Sequence, residues 1–445
     1  MSADVRPIKT AAEIALAETF AAIRTRLPGN GAVASRREDA FRRFENQGLP
    51  HRRIEEWKYT DLRTLMRTAK PLGPGPDAAS KQRAKVAGSI VADVAARRIV
   101  FAEGVFVPEL SDLAELESGL SITSLAQALA ARETDVVARL STPGLPEGDV
   151  AAALNTAFMG DGAVIRIAKG AAIARPLHLV FAHGGDKATA EFTRSLVEIG
   201  EGAQTVLIES HEGPDGLDYQ VNSALDLYIG DRARVDYLKV GSDGSSALHI
   251  ATLAATVGAN AEFNTFTFTV GGGLTRNQLF VRCAGKDSIV GLRGANLLKD
   301  RQHVDTTLVL EHAVPGCTSR EMFKSVLDGA SRGVFQGKII VRPGAQQSDA
   351  RMMTNALLLS ETAEADNKPE LEIFADDVQC GHGATAGALD ENLKFYLMAR
   401  GISESEAESL LIQAFVGEAV EAVNHEGLKE ALMAVVVRWL QARGS

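Results

Sequence analysis

The sequence predicts a mainly β protein: a right-handed parallel β-helix (solenoid) flanked by N-terminal and C-terminal α-helical domains. Three observations predict it. Between about residue 160 and residue 380, short β-branched runs recur, broken by Gly, Asn or Asp every 8 to 12 residues, with no convincing helix between them. That block exceeds 200 residues, long for one sandwich. A solenoid tolerates such length, because each added coil buries its neighbour's apolar face. Aromatic residues are 5% of the chain while Gly numbers 41, which favours stacked Val, Ile, Leu and Ala and many tight turns. No strict hexapeptide repeat is visible, which disfavours the left-handed helix of acyltransferases.

The domains are expected at 1–160, mainly helical; 161–387, the β-helix; and 388–445, helical again. In the first, Ala11–Arg26 carries Ile14, Leu16, Ala17, Phe20 and Ile23 at helical spacing. Arg36–Gln47 repeats the style and is closed by Gly48-Leu49-Pro50. Thr60 is read as the N-cap of a helix through Leu65. Ile99–Val107 reads as a hairpin around Glu103-Gly104, and Ile122–Ala131 and Asp149–Met159 as helices. Strands are expected at 163–167, 177–181, 205–209, 224–228, 234–240, 262–270, 278–282, 288–293, 305–310, 333–341 and 371–374. Beyond Ala384, Asp390 caps a helix to Arg400 that Gly401 closes. Ser403 with Glu406 fits a capping box, and Ala407, Leu410, Leu411, Ala414 and Phe415 form a helical stripe. A last helix spans about 427–441. Three short helices make little core alone, so Phe395, Tyr396, Leu432, Val436 and Trp439 must meet the solenoid or a partner.

A net charge of −10 disfavours nonspecific nucleic-acid binding. The locally basic 36–70 window is interleaved with acids and reads as a solvated helical face. Met1–Arg26 has no secretory pattern, and Ala431–Val437 is far too short to span a bilayer. Cys283, Cys317 and Cys380 are odd in number and widely spaced, which points to a reducing cytosol rather than a disulfide framework.

No nucleotide-binding loop is present: Gly333–Ile339 is one residue short between its glycines and lacks Ser or Thr after Lys338. Gly271-Gly272-Gly273 reads as a turn, His425-Glu426-Gly427 lacks a second histidine, and no Cys-x-x-Cys or Gly-x-Ser-x-Gly occurs. Cys283 and Cys317 read as small buried hydrophobes, and His303 and His312 as surface or stacking residues. What remains is Cys380-Gly381-His382-Gly383, where strand gives way to helix. Residues i and i+2 of a strand share a face, so Cys380 and His382 point the same way, flanked by glycines. Thiolate and imidazole both suit iron and zinc, but two ligands do not close a site. By residue type alone, such a pair is usually structural or incidental.

The run Asp377–Thr385, with Phe395-Tyr396-Leu397 and Arg400-Gly401-Ile402, resembles the SufD branch of the SufB/SufD family, scaffolds of the SUF iron–sulfur cluster assembly machinery. Glu56–Leu62, His312, Pro315, Ser319-Arg320, Lys324, Ser331–Lys338, Gly344-Ala345-Gln346 and Asn355–Leu359 extend the resemblance over nearly the whole chain. It implies a protein without enzymatic chemistry. Such a chain pairs with a SufB-like paralogue through the β-helix and docks a SufC-like ABC ATPase on its C-terminal helices, candidates being Phe395, Tyr396, Arg400 and Phe415. His382 falls on the histidine implicated as a ligand of the nascent cluster at the SufB interface, and Cys380 on a neighbouring family cysteine. Unlike SufB-like chains, this one has Gly383 where they have Glu, and no cysteine in 360–366. The resemblance therefore implies a supporting ligand and no cofactor bound alone; a flavin is compatible with the complex, though no residue points to one. A homodimer is expected in isolation. Two other readings stand beside it. A β-helix enzyme acting on polysaccharide would need a carboxylate cluster and an aromatic or basic cleft, and adjacent Asp376 and Asp377 point to opposite faces. A stand-alone iron–sulfur carrier would need more cysteines.

Overall fold

The computed structural model describes residues 9–140, 148–183 and 185–443. The first eight residues, part of the leader reading above, lie outside them. The N-terminal helices are α1 (Ala11–Ile23), α2 (Ala32–Gln47), α3 (Leu62–Leu65) and α4 (Ala78–Val86). Thr10 and Glu13 close a capping box at the head of α1, and Gly48 ends α2 at a positive φ. Thr60 is not the cap of α3: Asp61 is, accepting from Thr64 N at 3.0 Å. Thr60 instead bonds across to the solenoid, as described below.

The strands are β1 (Arg97–Ala102), β2 (Val105–Phe106), β3 (Leu120–Ser124), β4 (Ala163–Ile167), β5 (Leu177–Ala182), β6 (Ala190–Ile199), β7 (Gln204–Glu212), β8 (Gln220–Ile229), β9 (Arg234–Ser242), β10 (Leu248–Val257), β11 (Glu262–Thr269), β12 (Leu274–Cys283), β13 (Ile289–Leu298), β14 (His303–His312), β15 (Thr318–Leu327), β16 (Arg332–Val341), β17 (Ser348–Leu358), β18 (Glu364–Ile373) and β19 (Val378–Gly387). Between β3 and β4 lie α5 (Leu125–Ala130), α6 (Thr134–Arg139) and α7 (Val150–Phe158). Odd strands from β5 to β19 form one parallel sheet and even strands from β4 to β18 the other, so the chain alternates between sheets as it winds. This is a β-solenoid of about 8 turns with helices at either side. The β1–β2 hairpin pairs as expected, whereas 122–131 is a strand end followed by a helix rather than helix throughout.

The sheets enclose a lumen of stacked apolar rows, among them Leu207, Val235, Phe263, Val290 and Phe323 from one sheet and Leu225, Leu253, Leu279 and Leu308 from the other. Cys283 and Cys317 are buried there, as small hydrophobes would be. His312 is buried in the lumen too, between the Ser319 and Ser348 hydroxyls at 3.1 and 3.2 Å, and not at the surface.

The outer faces are covered as well. Phe20, Phe41, Phe44 and Phe158 of α1, α2 and α7 pack on Phe192, Leu248, Ile250 and Leu274. Trp57 lies under the Arg276 guanidinium, 3.9 Å from the ring centroid. Arg276 also donates to Glu56 O at 2.7 Å and pairs with buried Asp305, which accepts from Thr60. His303 Nε2 meets the same Thr60 hydroxyl at 3.0 Å. The Glu56–Leu62 segment is thus a clamp of the N-terminal region onto the solenoid. On the other sheet, α9 (Glu404–Val420) and α10 (Glu426–Arg443) bury Ile412, Val416, Leu432 and Val436 against Leu238, Phe268 and Val326. Each such side chain contributes about 1.5–3 kcal/mol. The expected α9 stripe is displaced by part of a turn: Ala407 is buried, but Leu410 is exposed and Ile412, Val416 and Ala419 carry the contact. Among the described residues no helix is long and apolar enough to cross a membrane.

Candidate functional site at the open end of the solenoid

The last coil has no successor. Strand β18 ends one sheet and β19 the other. The two edges differ in chemistry. β18 carries Glu364, Asp366, Lys368, Pro369, Glu370 and Glu372, the charges and proline that keep an edge from pairing with another strand. β19 reads Val-Gln-Cys-Gly-His-Gly-Ala-Thr-Ala-Gly, with no proline and no Asp, Glu, Lys or Arg, and most of it is exposed.

Cys380 and His382 sit on β19 in register with Ala350 and Met352 of β17, both buried in the lumen rows. They therefore share the inward face, as the spacing predicts, at the point where the lumen opens. Cys380 is half-buried against the core. Burial, the largest cause, pushes its thiol up from the ordinary cysteine range. His382 is exposed, with no hydrogen-bond partner among the described residues. Gly381 between them faces outward, and a Cβ there would meet nothing.

Both residues line a cavity of about 730 Å³ together with Arg293, Glu321, Met322, Met352 and Met353, among others. Glu321 is buried among the lumen rows, and neither carboxyl oxygen makes a hydrogen bond, although the nearby Ser319 hydroxyl partly offsets the cost. Burial pushes this carboxyl up to about 8. No three His, Cys, Asp or Glu side chains among the described residues stand close enough to hold a metal ion. Cys380 and His382 could supply two ligands, and further ones would have to come from another chain. Asp376 and Asp377 are both exposed in the turn before β19, and neither lines the cavity.

The four residues expected to dock an ATPase do not form one surface. On α8 (Glu391–Met398), Phe395 and Tyr396 are 72% and 54% exposed, and Arg400, just beyond, stacks 3.4 Å from the Tyr396 ring centroid. Asp390 caps α8 and Gly401 follows it at positive φ, as predicted. Phe415 instead packs toward the solenoid, with Lys324 Nζ 4.5 Å from its ring centroid. Sequence reasoning missed the arginines of the cavity and Glu321. Their only signal is register, since they lie on successive coils.

Fold and edge together define a β-solenoid that ends in an unprotected strand bearing a thiol and an exposed imidazole. The comparisons place it more narrowly. Residues 181–415 match the model for the SUF system FeS cluster assembly, SufBD core domain, and residues 20–179 that for the SufBD protein N-terminal region. The chain is 30% identical over 390 residues to the iron–sulfur cluster assembly protein SufD of Escherichia coli, covering 87% of this chain and 88% of that one. It is 30% identical over 413 residues to an iron–sulfur cluster assembly SufBD family protein of Synechocystis, with 88% and 87% covered. It is 26% identical over 419 residues to a SufBD family protein of Mycobacterium tuberculosis, with 92% and 94% covered. The chain belongs to the SufBD family of iron–sulfur cluster assembly proteins.

Proposed function

We propose that this chain is a non-catalytic, cytoplasmic scaffold subunit of the SUF machinery. It pairs with a SufB-like paralogue through the open edge of β19, and His382 and Cys380 there lend ligands to a cluster assembled between the two chains. The carrying observation is the unprotected edge itself: a strand stripped of charge and proline, with a free imidazole and a half-buried thiol on its inward face. Unpaired N–H and C=O groups along such an edge favour addition of a partner strand. In isolation the same edge pairs with a second copy. The exposed Phe395, Tyr396 and Arg400 of the α8 region form the docking face for a SufC-like ATPase, whose ATP hydrolysis this chain does not itself perform. The subunit supports iron acquisition through the ligands it adds.

The test is assembly of the full chain with its paralogue and ATPase, with His382→Ala and Cys380→Ala variants. His382 is exposed, so His382→Ala folds and assembles normally. Cluster formation, followed by visible absorbance under anaerobic conditions, is expected to fall severely. Unchanged cluster formation in both variants would remove this site from the function.

A further inference from the structure

The outward face of the same cavity carries chemistry that the ligand pair does not explain. Arg320 of β15 and Arg351 of β17 stand directly opposite each other in register, and Arg293 of β13 lies one outward position further along. Like charges set opposite across strands destabilise a sheet. Asp349 relieves part of this, accepting from Arg320 Nη2 at 2.7 Å and lying 3.7 Å from Arg351 Nε. Arg293 has no hydrogen-bond or ion-pair partner among the described residues. It is half-buried, and that burial lowers its pKa from the ordinary arginine value. Even with Glu321 counted as ionised, three guanidiniums outnumber two carboxylates. This local excess of positive charge sits on a chain whose net charge is −10.

We infer that this arginine wall is an anion receptor, and that the iron species it admits to the Cys380–His382 edge is a sulfur-ligated anion rather than an aquated iron cation. The inference rests on the scaffold reading above and specifies the charge of its cargo. A hydrated iron cation is repelled by three guanidiniums. An iron–sulfur core bearing thiolate and sulfide ligands is negatively charged, and N–H donors to its sulfurs stabilise it. Met322 and Met353, on the same outward face, supply a polarisable surface beside the arginines, suited to sulfur. Glycine keeps the way open: a Cβ on Gly383 would lie 2.8 Å from Met353 Cε, and one on Gly381 would meet open space. The cavity's about 730 Å³ falls within the range of small-ligand sites.

Tetrathiomolybdate, a coloured sulfide-only dianion, serves as the probe. Its binding to the full chain is measured by anaerobic equilibrium dialysis, alongside aquated ferrous iron. The wild type should bind the dianion, more weakly as salt rises. The double variant Arg293→Met with Arg351→Met should lose at least tenfold in affinity and most of the salt dependence, while Arg293→Lys retains binding. No binding by the wild type, or equal binding by wild type and the Met variant, overturns the inference. In the assembled complex the two proposals separate. If His382→Ala abolishes the cluster while the arginine variants do not, the receptor fails and the scaffold reading stands. If none of these variants matters, both fail.

Discussion

Replacing Glu321 with Gln tests the lumen reading through a proton. The carboxyl is buried, unbonded and held near 8 against an ordinary value of 4.5. In the unfolded chain it ionises above its ordinary value; in the folded chain it stays neutral until about pH 8. A raised folded pKa contributes stability that is fully present below the unfolded value and is lost as pH rises through the folded one. The slope is about 1.4 kcal/mol per pH unit for one proton, so the wild type should lose roughly 3 kcal/mol between pH 5 and pH 7 from this group alone. Glu321→Gln removes that slope. Its buried amide remains without partners, at a pH-independent cost of about 1–3 kcal/mol. The variant should therefore be no more stable than wild type at pH 5 and overtake it by pH 7. Urea midpoints followed by tryptophan fluorescence at pH 5, 6 and 7 measure this. A difference between the two proteins that does not change with pH would refute a neutral, buried Glu321.

Two other perturbations address the outer faces of the solenoid. Arg276→Ala leaves buried Asp305 without its cation and Trp57 without its stacked guanidinium, so a loss of about 3–5 kcal/mol is expected. It should appear as a lower urea midpoint with earlier proteolysis of the N-terminal region. Phe395→Asp changes a side chain that is 72% exposed, so the midpoint should stay within about 0.5 kcal/mol of wild type while co-purification of the ATPase is lost.

The solenoid was legible because its β-branched runs recur, but not every strand announced itself. Strands β6, β10, β15 and β17 escaped the pattern reading, and each for a physical reason. β6 and β10 are buried along almost their whole length, lumen on one side and N-terminal helices on the other, so no polar–apolar alternation exists to be seen. β6 even contains Glu191 and Arg194, buried because His183 and Asp226 neutralise them. β15 carries Arg320 and Lys324, whose partners, Asp349 of β17 and Glu418 of α9, lie on other elements, and β17 carries Arg351 beside that same Asp349. Thr60 looked like a cap because the sequence shows its local neighbours and not Asp305, which lies 245 residues further along the chain. Cys380 and His382 were legible because two residues on one strand need no tertiary information to share a face. Arg293, Arg320 and Arg351 meet by stacking of successive coils, which a single pass along the chain does not reveal.

The exposed His382 at the end of the solenoid contrasts with what the interior does with its own histidines. His183 contacts Glu191 at 2.7 Å and His211 at 2.8 Å, and the second nitrogen of His211 meets Glu209 at 2.6 Å. His249 is held by Asp243 at 2.8 Å and Ser223 at 2.9 Å, and His312 by two serines. Every ring nitrogen of these four buried histidines is occupied. A metal could be bound there only by breaking a hydrogen bond in a dry environment, leaving a partner unsatisfied. These interior histidines draw on groups of the adjacent coils. The last coil has a neighbour on one side alone, and its imidazole stays uncommitted. A partner chain that added a strand to β19 would become that missing neighbour, and would enclose His382 and Cys380 in the same low-dielectric setting that already surrounds the interior histidines.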